Sequence, residues 1–182
     1  MCSGGRGDAR WIGAGVGGAM SLDELNPWHF AEPLAALLAA RRERRMVRER
    51  EVVEYLREVG RKCDVLVVEG AGGLLSPLGE NFDARELIVA LRARPVVVCP
   101  NRLGAVSQVR LVLAALGPAS RRRAVVVLMS GRRRAAIQKL NRKLLGEFHP
   151  PGQIQEIPWI GKNRPMRELG PVMDAIVQTV EL

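Results

Sequence analysis

The chain has 182 residues, enough for one compact domain with a full hydrophobic core. Hydrophobic residues make up 47%, which excludes a disordered chain, and an aromatic content of 4% argues against a base-stacking platform for nucleic acid. The net charge of +9 is carried mainly by arginine, clustered at 41–45, 121–123 and 132–134. No helix-turn-helix, zinc or aromatic RNA motif accompanies those clusters, so solvated helix ends are expected and nucleic acid is not an expected partner.

The N-terminal MCSGGRGDAR lacks the apolar core of a signal peptide, and Arg110 and Gly117 interrupt the longest apolar helix candidate. A cytoplasmic protein without membrane spans is the expectation. Cys2, Cys63 and Cys99 have no metal-ligand spacing; Cys63 and Cys99 flank apolar runs, where cysteine acts as a small buried hydrophobe.

Taken in chain order, residues 1–20 are glycine-rich without strand character and read as a loop leading into a short helix near Ala9–Ala14. Asn26-Pro27 marks a turn, since proline pushes the preceding residue out of helical geometry. Residues 34–45 and 46–59 read as helices, the second with Val52, Leu56 and Val59 on one face and Gly60 as its stop. Asp64–Val68 is short and β-branched, and predicts a buried strand. Asp83 with Glu86 predicts a capping pair opening a helix through Leu91. Pro95–Cys99 predicts a second buried strand, and Ala105–Leu116 a helix with Val106, Val109, Val112, Leu113 and Leu116 inward and Gly117 as its stop. Ala124–Leu128 predicts a third strand, followed by a helix near Arg134–Leu145, a short strand ending at Ile157 and a last helix over Val172–Val180. Buried runs separated by helices imply parallel strands joined by right-handed crossovers, with both sheet faces covered. The fold class is α/β, a doubly wound and mainly parallel sheet in a single domain over 1–182. Such sheets bind ligands beyond the carboxyl ends of their strands.

Three segments at such places carry candidate chemistry. Val67-Val68-Glu69-Gly70-Ala71-Gly72-Gly73 puts a carboxylate at the end of an apolar run, where P-loop enzymes hold Mg²⁺ beside nucleotide phosphates. Its glycines let the backbone approach a ligand, and successive N–H groups can cradle an anion. An acid closing a strand before an ordinary glycine turn explains the same residues. Ser3-Gly4-Gly5-Arg6-Gly7-Asp8 offers a hydroxyl and a second carboxylate, and also fits a plain glycine-rich terminus. Asn101-Arg102-Leu103-Gly104-Ala105-Val106-Ser107 is a strand-to-helix junction, and helix N-termini bind carboxylates and phosphates. His29 and His149 have no acid nearby in sequence and read as structural.

In combination, the order SGGRGDA, NPWHFAEPLAALLAAR, VLVVEGAGGLLSPL, PVVVCPNRLGAVSQ and EIPWI resembles the dethiobiotin synthetase family from Met1 to about Asn163. VEGAGG followed by a Pro-Leu pair, with NPxxFxxP some forty residues upstream, is the specific part. The resemblance implies a P-loop NTPase-like fold and an ATP- and Mg²⁺-dependent enzyme of biotin synthesis. That enzyme carboxylates 7,8-diaminopelargonic acid with CO₂ or bicarbonate and closes the ureido ring. By position it implies Asp8 and Glu69 as ligands of Mg²⁺ and ATP, and Gly70, Ala71 and Gly72 as the rest of a nucleotide loop. It also implies Ser3 as a contact to the diamine, with Gly104, Ala105, Val106 and Ser107 receiving the substrate carboxylate near a homodimer interface. Pro158, Trp159 and Ile160 would lie along the adenine.

The family opens with a strand, a loop ending in Gly-Lys-Thr, a helix and a second strand carrying a catalytic lysine before a proline. Met1 aligns just after that Lys-Pro, and GxxxxGK[ST] occurs nowhere in the 182 residues. The resemblance thus implies an N-terminally truncated member, lacking the first strand, P-loop and second strand and inactive alone. Met1 is then a misassigned internal start, in preference to the start of a degenerate non-catalytic binding subunit. Met129-Ser130 stands where the family commonly has Asn-Asp, and Pro165 where a glutamate often follows the adenine segment. A synthetase of the cobyric acid type is a related reading, but those enzymes add a glutaminase domain that this sequence lacks.

Overall fold

The computed structural model describes residues 2–132, 136–159 and 170–181. The chain forms two compact units, Met1–Arg92 and Ala93–Leu182.

The first unit is mostly helical. Strand β1 (Cys2–Ser3) lies parallel to β2 (His29–Phe30), with helices α1 (Gly7–Gly15) and α2 (Leu22–Leu25) in the intervening chain. Ser21 caps α2 in a reciprocal pair with Glu24, which satisfies two amides of its first turn. Helices α3 (Ala36–Arg42) and α4 (Glu49–Gly60) follow, and α5 (Ala84–Ala90) closes the unit. Its core gathers Phe30, the alanines of α3, Val52 and Val53 of α4, Leu87 of α5, and Val47, Leu78 and Phe82 from connecting segments. Beside it Trp28 meets Tyr55 edge-on, ring centroids 5.5 Å apart, and the Tyr55 hydroxyl donates to the Glu24 carbonyl at 2.5 Å. The arginines of 41–45 are largely engaged locally: Arg41 forks onto Glu80 at 2.9 and 2.8 Å, Arg42 pairs with Glu32, and Arg45 donates to the His29 carbonyl.

The second unit is a three-stranded parallel sheet in the order β3 (Val96–Asn101), β4 (Val125–Ser130), β5 (Ile154–Ile157). Register pairs Asn101 with Ser130 and Leu128 with Glu156, so the carboxyl ends line up at one edge. Helix α6 (Ala105–Ala115) packs on β3, α8 (Ala136–Leu145) on α6, and α9 (Gly170–Glu181) on β4 and β5. A short helix α7 (Gly117–Arg123) joins α6 to β4, with Gly117 at φ +75° making the break. Val125 to Leu128 are fully buried because strands flank β4 on both sides. Val125 and Val127 join Ile157 and Ile176 in one cluster, and Val126 and Leu128 point to the opposite face. The His149 ring nitrogen Nε2 is 2.9 Å from the Ala124 carbonyl, and the ring is buried, in keeping with a structural role.

Several expectations are corrected. Asp64–Val68 is not a strand: it pairs with no strand among the described residues, and Val67 is 87% exposed. A β-branched run becomes a strand only where a neighbour takes up its N–H and C=O groups. Cys63, beside it, is exposed for the same reason, whereas Cys99 is buried and burial pushes its thiol up. β3 is covered on one face only, by α6 on the side of Cys99, and Val98 on the other face is 60% exposed. Residues 1–20 do hold strand, the short β1, whose partner lies 27 residues on and leaves no local signal.

The Asp83–Glu86 cap is present as expected: Asp83 accepts from the Arg85 amide at 2.7 Å, and its own N–H donates to Glu86 at 2.8 Å. Burial, with Glu86 beside it, pushes the Asp83 carboxyl up. Hydrogen bonds from the Asp83 side chain and backbone hold Glu86 down at about 2, against an ordinary 4.5. The stabilisation carried by Glu86 is complete above its unfolded value and is lost as pH falls through about 2. Asp83 acts in the opposite sense, so a site-resolved titration separates the two. In a carboxyl-carbon NMR titration Glu86 is expected to titrate near pH 2. In Asp83→Ala its value rises part of the way to normal, the backbone N–H remaining. The same variant lowers stability to denaturant by about 1 kcal/mol, the usual worth of an N-cap.

Candidate functional site

In the first unit, β1 carries Ser3 alongside Phe30, and the next residue is fastened twice: the Gly4 N–H donates to the Phe30 carbonyl at 2.9 Å, and His29 Nε2 meets the Gly4 carbonyl at 2.8 Å. His29 therefore anchors the Ser3–Asp8 segment, a role its sequence neighbours gave no sign of. Asp8 lies in the first turn of α1, exposed, where an acid also suits the helix dipole. Its side chain makes no ion pair or hydrogen bond among the described residues.

Glu69, Gly70 and Gly72 are exposed and Ala71 half-buried, in an irregular loop that ends where Leu78 and Phe82 enter the core. The Glu69 carboxylate is likewise unengaged among the described residues, and no bond there joins it to Asp8. Gly72 has φ +80°, the left-handed region, and a Cβ there would stand 2.6 Å from Ser76 Oγ. That same hydroxyl oxygen accepts from the Gly73 N–H at 2.9 Å and braces the loop.

In the second unit the carboxyl edge of the sheet brings two of the predicted segments together. The turn after β3 leads through Gly104, at φ +88°, into α6, and Pro158 and Trp159 follow β5 on the same edge. Gly104 supplies no side-chain cap. The Ala105 amide is taken by the Arg102 carbonyl at 3.0 Å, and the first bond inside the helix is Gln108 N–H to Gly104 at 3.0 Å. Val106 and Ser107 amides thus stand at a helix start without an intrahelical acceptor, which is the usual geometry for holding an anion. Pro158 is half-buried and Trp159 exposed; Ile160 lies outside the described residues. Ser130, at the end of β4 between these segments, donates its hydroxyl to the Glu156 carboxylate. Sequence reasoning passed over Glu156, the buried amides Gln138 and Asn141, and the bonds that tie them to Asn101 and Ser130, because the partners lie 26 to 40 residues apart.

The parallel sheet with its helices is an α/β fold, of the kind that binds ligands at the carboxyl edge of its strands. The family model described as AAA domain matches residues 4–167. An ATP-dependent dethiobiotin synthetase BioD of an Anaeromyxobacter species is 40% identical over 109 residues, 60% of this chain and 49% of its own length. The protein of that name from Rhodococcus erythropolis is 39% identical over 115 residues, 62% of this chain and 50% of its own. That of Bacillus subtilis is 32% identical over 95 residues, 52% and 41%. The chain belongs to the AAA domain family. It spans about half the length of the curated relatives it matches. Among the described residues no helix is long and apolar enough to cross a membrane, and no three His, Cys, Asp or Glu side chains group as a metal site.

The Gly72→Ala substitution tests the brace in the Glu69 loop. It forces a Cβ into left-handed geometry at about 1–2 kcal/mol and displaces the Ser76 hydroxyl. The expected result is about tenfold faster hydrogen exchange at the Gly73 amide, with amides of β4 unchanged.

Proposed function

We propose that these residues form the Mg²⁺ and diamine side of an ATP-dependent dethiobiotin synthetase. The observation that carries the reading is the run of motifs from Ser3–Asp8 through the Glu69 loop to the Gly104 helix start, inside one continuous family match. That match crosses both compact units, which supports treating 1–182 as one functional domain; a cytoplasmic homodimer is what the family resemblance implies for it.

On this reading an amine of 7,8-diaminopelargonic acid attacks CO₂, forming an N–C bond and losing a proton to give the carbamate. A carbamate oxygen attacks the γ-phosphorus of ATP and ADP leaves. The second amine then attacks the carbonyl carbon, the C–O bond to the phosphate breaks, and the ring closes as the amine gives up a proton and inorganic phosphate departs. The Val106 and Ser107 amides, with the dipole of α6, would hold the substrate carboxylate and so set the reach of the two amines. Ser3, held beside Phe30, would contact the diamine, and Pro158 with Trp159 and Ile160 would flank the adenine. Asp8 and Glu69 fit Mg²⁺: both are hard oxygen donors, exposed and engaged by no cation among the described residues. When bound, the ion neutralises phosphate charge during transfer. Gly70, Ala71 and Gly72 would bring backbone N–H groups to the phosphates. Because the sequence holds no GxxxxGK[ST], the 182 residues by themselves are expected to be inactive with ATP.

The first step needs no ATP and gives the cleanest test. Mixed with 7,8-diaminopelargonic acid and ¹³C-bicarbonate, the chain is expected to yield a bound carbamate resonance. With the chain extended upstream by the Gly-Lys-Thr loop and catalytic lysine that the resemblance implies, adding Mg²⁺-ATP is expected to convert it to dethiobiotin, seen by mass spectrometry. Failure to bind the diamine at all would sink the proposal; carbamate without any dethiobiotin would favour the non-catalytic binding protein. Glu69→Gln is expected to leave carbamate formation intact and to cut ring closure by about 100-fold or more, the scale on which a lost electrostatic partner acts.

A further inference from the structure

Helix α8 is turned in a way that hydrophobicity does not explain. Its buried side carries Gln138, Asn141 and Leu145, while Leu140 is 62% exposed and Leu144 also faces out. Burying two amides ahead of two leucines is unfavourable unless every polar group finds a partner. Asn141, 7% exposed, finds two: its Nδ2 donates to Asn101 Oδ1 at 3.0 Å and to the Arg102 carbonyl at 3.0 Å. Asn101 in turn donates to the Gln138 carbonyl at 3.3 Å. These bonds converge on the last residue of β3 and the first residue of the turn that starts α6. The Arg102 carbonyl also accepts the Ala105 amide, so one oxygen ties α8 to the first residue of α6.

We infer that Asn141 is a positioning residue, which fixes the Asn101–Gly104 turn from behind and thereby aims the Val106 and Ser107 amides at an anionic ligand. This rests on the proposed reading that the start of α6 takes the carboxylate of the diamine. Gly104, at φ +88° and with nothing within 4 Å of its Cβ position, gives the turn no side-chain brace of its own. An amide from a neighbouring helix supplies that brace without occupying the face where a ligand sits. A leucine at 141 would pack in the same volume and leave the Arg102 carbonyl with one donor fewer.

The test compares two probes on the full chain, 7,8-diaminopelargonic acid and its methyl ester, followed by ¹⁵N amide shifts. Wild type is expected to bind the acid more tightly than the ester, with shifts at Val106 and Ser107 for the acid alone. Asn141→Leu, shown to be folded by its amide spectrum, is expected to lose about tenfold in affinity for the acid and none for the ester, about 1.4 kcal/mol. A purely structural role lowers stability but leaves the acid-to-ester ratio where it was, and that result overturns the inference. Should Asn141→Leu not fold, Asn101→Ser is compared by the same ratio: a fall supports the positioning role, and an unchanged ratio overturns it. A wild-type chain without preference for the acid overturns the carboxylate reading, and the positioning role with it. A wild-type preference that survives the substitution overturns the positioning role alone.

Discussion

A parallel strand cannot satisfy its own backbone; it needs a neighbour to take its N–H and C=O groups, and most of this structure follows from where neighbours exist. β4 is flanked on both sides, and its valines and leucine are fully buried. Val65–Val68 has the same composition as Val125–Leu128 and no described partner, and it lies open to solvent. Side-chain character decides which runs are able to become strands. Hydrogen-bond partners decide which ones do.

The same pairing orders the candidate residues of the second unit. Because β3, β4 and β5 are parallel and in register, the residues that follow them share an edge. A helix start with free amides, a serine–glutamate pair and a half-exposed Pro-Trp segment are thereby assembled from sequence positions 104 to 159. Helix α6 adds a direction to that edge, its dipole presenting partial positive charge at the Val106 and Ser107 amides. The first unit, taken by itself, carries chemistry of opposite sign. Asp8 and Glu69 are exposed carboxylates with no cationic partner described, in a unit where Arg41, Arg42, Arg48 and Arg50 each pair with a glutamate. In a chain of net charge +9, two acids left outside that pairing are available to an added cation.

Local signals in the sequence translated well. The Asp83–Glu86 cap, the turn at Asn26-Pro27, the α6 face with Val109 and Leu113 inward, and the three strands of the second unit all depend on residues within a few positions of one another. The features that were illegible depend on distant partners. β1 needs His29 and Phe30; the His29 contact to Gly4 spans 25 residues; Asn141 reaches back 40 to Asn101. Helix α8 shows the limit most sharply. Its leucines at 140 and 144 mark one candidate inner face and its amides at 138 and 141 another, and periodicity alone favours the leucines. The carbonyl of Arg102 and the side chain of Asn101, waiting at the end of β3, settle it the other way.

That choice bears on how the candidate site achieves precision. A glycine at the start of α6 leaves room for a ligand to approach the amides, but glycine also leaves the turn with the greatest backbone freedom. Close approach and rigidity are in conflict at such a position if the turn must supply both. On the proposed reading the two tasks are divided: Gly104 would keep the ligand-facing side clear, while the Asn101–Asn141 hydrogen bond holds the backbone from the buried side. The cost is a helix that shows two leucines to solvent. A carboxylate held by amides fixed to within a few tenths of an ångström would place the far end of a flexible chain more reproducibly than amides on a loose turn, and ring closure between two amines depends on that placement.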